Sequence, residues 1–248
     1  LNDIIKSLQS HRSVRSYQDK LVKEEELNEI IKSIQAAPNW INGQQMSIVA
    51  VKDPERKRKL AGLCGNQKHI EEAPVFLVFC ADFYRTYLAS QMENKPMEAI
   101  HDIDTLIVGV TDVGIALGTA VAAAESFGLG TVAIGGIRRN TLKVIEELNL
   151  PPYVIPVSGL CLGYPADDPG IKPRLPKEAV YFEETYQQDL TNLLEEYNGT
   201  FSNYLKERAQ NNRAGTWTEM VANFYSKPHY YEGIAEMLKT QKYPGGNE

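Results

Sequence analysis

His11, Arg12, Ser13 and Arg15 lie together in the stretch HRSVRSY at residues 11–17. Two guanidinium groups offer forked N–H donors, and the imidazole and hydroxyl add single hydrogen bonds. A phosphate is held well by that mixture. Taken alone, the stretch also reads as a solvated loop. A second stretch, GLGTVAIGGIRRN at 128–140, puts Gly135 and Gly136 directly after the short apolar run ending in Ile134. With no Cβ in the way, main-chain amides there can approach a flat ligand. The GxGxxG spacing of a dinucleotide fold is missing, and a plain strand-to-helix turn explains the pair equally. The third stretch, GIKPRLPKE at 170–178, sets Lys172 and Arg174 beside Pro173 and Pro176. A stiff backbone loses less entropy when its charged ends clamp an anion. An exposed proline-rich connector is the alternative.

Composition narrows what such groups serve. The chain has 248 residues, a net charge of −6 and 43% hydrophobic residues, the profile of a folded soluble protein. An acidic balance argues against a general nucleic-acid binder, although it leaves room for a local anion site. Cys64, Cys80 and Cys161 are odd in number and form no CxxC, which points to a reducing, cytoplasmic compartment. His11, His69, His101 and His229 make no metal-ligand spacing with Cys or carboxylates, so no metal is expected. The first residues are amphipathic and carry no signal-peptide-type apolar core.

One run, Leu106 to Ala124, is nearly continuously apolar and about long enough to cross a bilayer. Asp112 interrupts it, an aspartate at a bilayer centre costs ~3 kcal/mol, and no cluster of Lys or Arg flanks the run. The expectation is therefore no membrane and a helix buried on all sides in a globular core. Gly114 and Gly118 share a face of that helix and permit close backbone approach, at a subunit interface or within the chain.

Several elements must position these groups. Residues 2–10 read as a short helix capped by Asn2 or Asp3, and 23–38 as an amphipathic helix with Leu27, Ile30, Ile31 and Ile34 at helical spacing. Strands are expected at 46–51, 73–81, 131–136 and 154–165, and further helices at 53–65 and 140–150. From about Glu178 onward the chain is charged, Tyr-rich and mostly helical, without a strong strand. The class is α/β or α+β.

The order of the motifs says more than any one of them. HRSVRSY, PNWINGQQ, GNQKHIEEAPVFLVFCADFYR, AAESFGLGTVAIGGIRRN and GLCLGYPADDPGIKPRLP together resemble the FMN-dependent nitroreductase and flavin reductase family. The match is closest to its larger, oxygen-insensitive NADPH nitroreductase branch. It covers residues 1 to about 185 and continues more thinly through RAQNNRAGTW at 208–217.

The resemblance implies an α+β nitroreductase-like fold: a central, mainly antiparallel sheet flanked by helices, in an intertwined homodimer with one FMN in each interface cleft. Residues 1–180 would be the FMN-binding core and 181–248 a helical extension wrapping the core or its partner. His11, Arg12 and Ser13 match early flavin positions, and Arg15 the cation near the flavin pyrimidine edge, where it would also tune the potential. Gln67 and His69 match a polar pair beside the cofactor. Ile134, Gly135 and Gly136 match the strand end along the ring, with a main-chain N–H aimed at N5. Asn42 and Gln44 match contacts from the facing side, with Asn39 next to them also expected at the cofactor, and Lys172 and Arg174 match a phosphate clamp. Arg208 and Arg213 match residues that bind the 2′-phosphate of NADPH.

Two departures stand out. Asn39, Trp40 and Ile41 replace small Ser or Thr residues, so Trp40 is expected to stack near the flavin, narrow the cleft or pack in the interface. Asp104 falls where the branch often carries Glu near the substrate.

The implied activity is ping-pong hydride transfer from NADPH or NADH through flavin N5 to nitroaromatics, quinones, azo dyes or free flavin. No side chain beyond the flavin is needed as a catalyst, and no Ser-His-Asp or Cys-His arrangement is seen. Rival readings are a dedicated flavin reductase, a flavin-binding sensor without turnover, and a flavin-free nucleotide-binding regulator.

Overall fold

The structure is a computed structural model that describes residues 1–208, 211–228, 231 and 233–244. His229, and Ala209 and Gln210 of the RAQNNRAGTW motif, lie outside the described residues. Ten α-helices and four strands are present among the described residues. In chain order they are α1 (Asp3–Gln9), α2 (Glu24–Gln35), β1 (Met46–Val51), α3 (Pro54–Leu63), α4 (Lys68–Glu72), β2 (Val75–Asp82) and α5 (Tyr84–Met92). There follow α6 (Ile103–Ser126), β3 (Gly130–Ile134), α7 (Thr141–Leu148), β4 (Val154–Gly163), α8 (Thr191–Glu207), α9 (Trp217–Tyr225) and α10 (Ile234–Thr240). The expected strands and helices all form. The short α4 and α5 carry no clear apolar stripe, so local pattern does not mark them.

β2 explains the architecture. All eight of its residues are buried, which demands cover on both faces of the sheet. Leu77, Phe79 and Ala81 pack with Ile30 and Ile34 of α2 and with Val113, Ala116 and Ala120 of α6. Phe76, Val78 and Cys80 point the other way, toward Leu60 of α3 and Val144 of α7. This alternation follows from the two-residue period of a strand. The sheet order is β1-β2-β4-β3 with every pairing antiparallel, so the fold is α+β.

The described chain clusters into two compact units. The first comprises residues 1–167 and 231–248, the second 168–230. In the first, the chain end returns to the core: Tyr243 is buried and its hydroxyl donates to the Ala81 and Tyr153 carbonyls at 3.2 and 3.0 Å. In the second, Tyr197, Phe201 and Leu205 of α8 pack with Leu175 and Trp217, and Thr216 and Glu219 form a reciprocal capping box for α9.

α6 corrects one expectation. It is long and apolar enough to cross a membrane by length and composition, but it is not buried on all sides. Val113, Ala116, Ala120 and Ala124 are buried, while Ile103, Ile107 and Val110 are exposed. A Cβ added at Gly114 or Gly118 would meet nothing within 4 Å. Among the described residues, the glycines therefore serve no packing within this chain. The apolar pattern runs round the helix because only one flank is used by the core.

Gly159 of β4 is a contrasting case, since a Cβ there would lie 2.5 Å from the Phe76 ring. Overpacking a filled core costs about 1–3 kcal/mol. Gly159→Ala should lower the unfolding free energy by that amount, read as a lower urea midpoint with an unchanged denaturant slope; a midpoint equal to wild type would contradict the packing.

Candidate functional site

The HRSVRSY segment is held in place by the outer edge of β3. Val14 N–H donates to the Thr131 carbonyl at 2.8 Å, and Ser13 forms a parallel bridge with Thr131. Gly130 makes this approach possible: a Cβ there would stand 2.7 Å from Val14. Val14 is buried, so its neighbours alternate outward. His11 Nδ1 meets Glu125 Oε1 at 2.6 Å, Arg12 donates to the Ser10 carbonyl at 3.0 Å, and Arg15 to the Ser13 carbonyl at 3.4 Å.

Two other segments join this edge. β3 ends at Ile134, and the chain tightens into a 3-10 turn at Gly135–Arg138. Gly136 is buried, and a Cβ there would overlap the Gln67 side-chain amide and the Cys64 carbonyl. Only glycine allows Gln67, whose amide donates to that carbonyl at 2.8 Å, to lie against the strand end. His69 follows in α4, within electrostatic reach of Arg15. Its Nε2 is buried and has no hydrogen-bond partner. A buried orphan nitrogen within reach of a cationic segment, near a strand end where Gly135 carries no side chain, fits a polar, anionic, partly flat ligand. His11, Arg12 and Ser13 thus lie by the start of β3 and Ile134, Gly135, Gly136 and Gln67 by its end, with Arg15 between them along the strand and His69 within its electrostatic reach.

Asn39, Asn42 and Gln44 are elsewhere. They lie in the turn that leads into β1, the opposite edge of the sheet. This turn is strained: Ile41, Asn42 and Gln44 all have left-handed φ values, of 48°, 56° and 54°. A β-branched residue rarely adopts that conformation, and the surroundings must impose it. They do so from two sides. Asp112 of α6, only 5% exposed, accepts the Trp40 N–H at 3.2 Å. Arg85 of α5 grips the Met46 carbonyl and Ser47 Oγ at 2.8 Å each, and also the Gln44 carbonyl. Asp82 anchors Arg85 in turn at 2.8 Å. Burial pushes the Asp112 carboxyl above the ordinary carboxylate range, opposed by the Trp40 amide. Trp40 itself projects outward, 59% exposed, beside an apolar pocket lined by Ile41, Ile107 and Ile115.

Asp112, Arg85 and Glu125 were not among the residues picked from the sequence as site groups. A carboxylate within an apolar helix is the one signal that marked Asp112. Nothing local marks Arg85. Asp104 stands exposed in the first turn of α6, where Asp102 caps its N–H at 3.1 Å.

The second unit holds the remaining candidates. Arg174 donates to the Lys172 carbonyl at 2.8 Å, and Tyr197 Oη donates to the Pro173 carbonyl at 2.8 Å, which ties the proline-flanked segment to α8. Arg208 borders a cavity also lined by Ile171, Thr200, Asn203 and Tyr204, and its Nε is buried without a partner. Arg213 does not line that cavity. Its guanidinium lies 3.7 Å from Met220 Sδ. All three cysteines are free and buried, and burial pushes the thiols of Cys64 and Cys80 up to about 12, so none is poised as a nucleophile.

The chain is similar to known proteins along most of its length. The profile of the "Nitroreductase family" matches residues 8–164, and that of the "Nitroreductase family, C-terminal domain" matches 172–245. An FMN reductase (NAD(P)H) of Bacillus subtilis is 48% identical over 244 residues, covering 97% of this chain and 98% of that protein. An oxygen-insensitive NADPH nitroreductase of Salmonella typhimurium is 38% identical, covering 89% and 90%. The solved structure of the hypothetical oxidoreductase YcnD from Bacillus subtilis superposes with a TM-score of 0.96 at 46% identity, covering 98% of this chain and 99% of that one.

Burial first, and the Arg15 charge second, hold His69 below the ordinary histidine value against an opposing pull from Glu72. The unfolded chain therefore binds more protons at His69, and this contribution to stability is lost as pH falls below the unperturbed value of ~6.5. A histidine-resolved NMR titration should place the His69 midpoint under ~6.5, and Arg15→Ala should raise it. A midpoint at or above that value would contradict the placement.

Proposed function

The chain belongs to the nitroreductase family, and from that premise we propose that it is an NAD(P)H-dependent FMN oxidoreductase that reduces nitroaromatics, quinones or related acceptors. One observation carries the reading furthest: the buried, partnerless His69 Nε2 within electrostatic reach of Arg15 in the cationic 11–15 segment. When bound, FMN supplies the two-electron exchange between NAD(P)H and the acceptor. The chain supplies binding and orientation. His11, Arg12, Ser13 and Arg15 offer donors to the anionic and polar edge of the cofactor. Gln67 and His69 offer polar atoms beside the ring, and the Ile134–Gly136 backbone gives it a surface without side chains. Lys172 and Arg174 are the cations proposed for the phosphate, and Arg208 and Arg213 those proposed for the 2′-phosphate of NADPH. No side chain is asked to form a covalent bond with substrate. A cytoplasmic setting fits the three free, buried thiols.

The same premise leads to a homodimer. Asn39, Asn42 and Gln44 precede one edge of the sheet, and His11–Arg15 lie on the other. Along α6 their anchors, Asp112 and Glu125, are about 20 Å apart at 1.5 Å per residue. One ring system touched by both groups needs the second group from another copy. The exposed Ile103, Ile107 and Val110, with the open faces of Gly114 and Gly118, suit the close approach of that copy.

A dedicated flavin reductase is favoured as the second reading by the FMN reductase at 48% identity. Turnover of added free FMN well above that of nitro compounds would select it.

Anaerobic stopped-flow mixing with NADPH should bleach the yellow absorbance of the holoprotein promptly, and a nitroaromatic or quinone should restore it. Unchanged absorbance would remove the proposal. Ile107→Glu should yield a monomer by light scattering that retains far less FMN than wild type. A monomeric variant with full FMN content would refute the shared-site argument.

A further inference from the structure

Glu125 stands where a helix least favours an acid. It lies in the last turn of α6, whose carbonyl ends carry partial negative charge. Its side chain is only 14% exposed, so its charge is partly desolvated as well. Helix stability does not account for it, but two contacts do. His11 Nδ1 at 2.6 Å and Thr131 Oγ1 at 3.1 Å both meet Glu125 Oε1. Thr131 is fully buried in β3, so it ties the carboxylate to the rigid sheet. An ionised carboxylate only accepts hydrogen bonds, which requires the proton of this contact to sit on His11 Nδ1. The ring orientation is then set from behind, and Nε2 is the nitrogen left for a ligand.

We propose that Glu125 is a positioning residue that fixes the Nδ1–H form and ring orientation of His11, reserving Nε2 for the cofactor. This rests on the reading that His11 touches FMN, yet its first half can be measured without flavin. Imidazole nitrogen NMR of the flavin-free full chain, at alkaline pH where histidines are neutral, should show His11 with Nδ1 protonated and Nε2 bare. His11→Asn identifies the signal.

Glu125→Ala should return the ring to the Nε2–H form preferred in water and weaken FMN binding at least about tenfold, the scale of one hydrogen bond to a charged group. Glu125→Gln keeps an acceptor oxygen and should restore both the Nδ1–H form and most of the affinity. An Nε2–H form in the wild type overturns the proposal. So does Glu125→Ala with unchanged tautomer, or with a switched tautomer and unchanged FMN affinity. If the alanine variant does not fold, the wild-type and glutamine spectra still decide. A wild type that shows Nδ1–H but binds no FMN supports the His11–Glu125 arrangement and removes the functional reading instead.

Discussion

The organisation of the first unit depends on α6 lying as a rigid bar across one face of the sheet. Its buried flank of small and medium residues packs against α2 and β2. Two carboxylates project from the same bar to catch loops that have no secondary structure of their own. Asp112 takes the amide at the head of the Trp40 turn, and Glu125 takes the His11 ring. Each carboxylate is largely removed from solvent and is compensated by a specific donor, as a buried acid must be. A regular helix keeps the spacing between the two anchors constant. The helix thereby converts two flexible segments into two fixed surfaces.

Conformational strain is concentrated in one of those surfaces. The turn from Asn39 to Gln44 holds three non-glycine residues in left-handed conformation, one of them β-branched. The Arg85 clamp and the Asp112 acceptor bind its backbone rather than its side chains. The side chains of Trp40, Ile41 and Asn42 are left outward-facing as a result. The other surface is regular, because its main-chain groups pair with the exposed edge of β3. Chain docking at that edge also covers hydrogen-bonding groups that would otherwise invite other strands.

Glycine placement separates the two uses of close approach. Gly130 and Gly136 are filled by neighbours of the same chain: Gly130 admits Val14 of the HRSVRSY segment, and Gly136 admits the candidate cofactor residue Gln67. Gly114 and Gly118 face open space. The same residue type thus marks an internal contact in one pair and an available external surface in the other. Spacing alone does not distinguish them.

Much was legible from local pattern. The runs at 46–51, 73–81 and 154–165 declare strands because β-rich apolar residues have few other places to go, and Leu27, Ile30 and Ile34 declare one helix face. The anion-binding character of residues 11–15 and the missing Cβ at Gly135 and Gly136 are also properties of residue type. What the chain could not reveal locally is which groups meet across long separations. The pairing of His11 with Glu125, Gln67 against Gly136, and Trp40 with Asp112 comes from sheet order and helix packing. The same holds for α6, whose composition reads as buried throughout while the fold leaves one flank bare. Hydrophobicity and hydrogen-bonding capacity belong to individual residues, whereas partners and exposure belong to the packed chain.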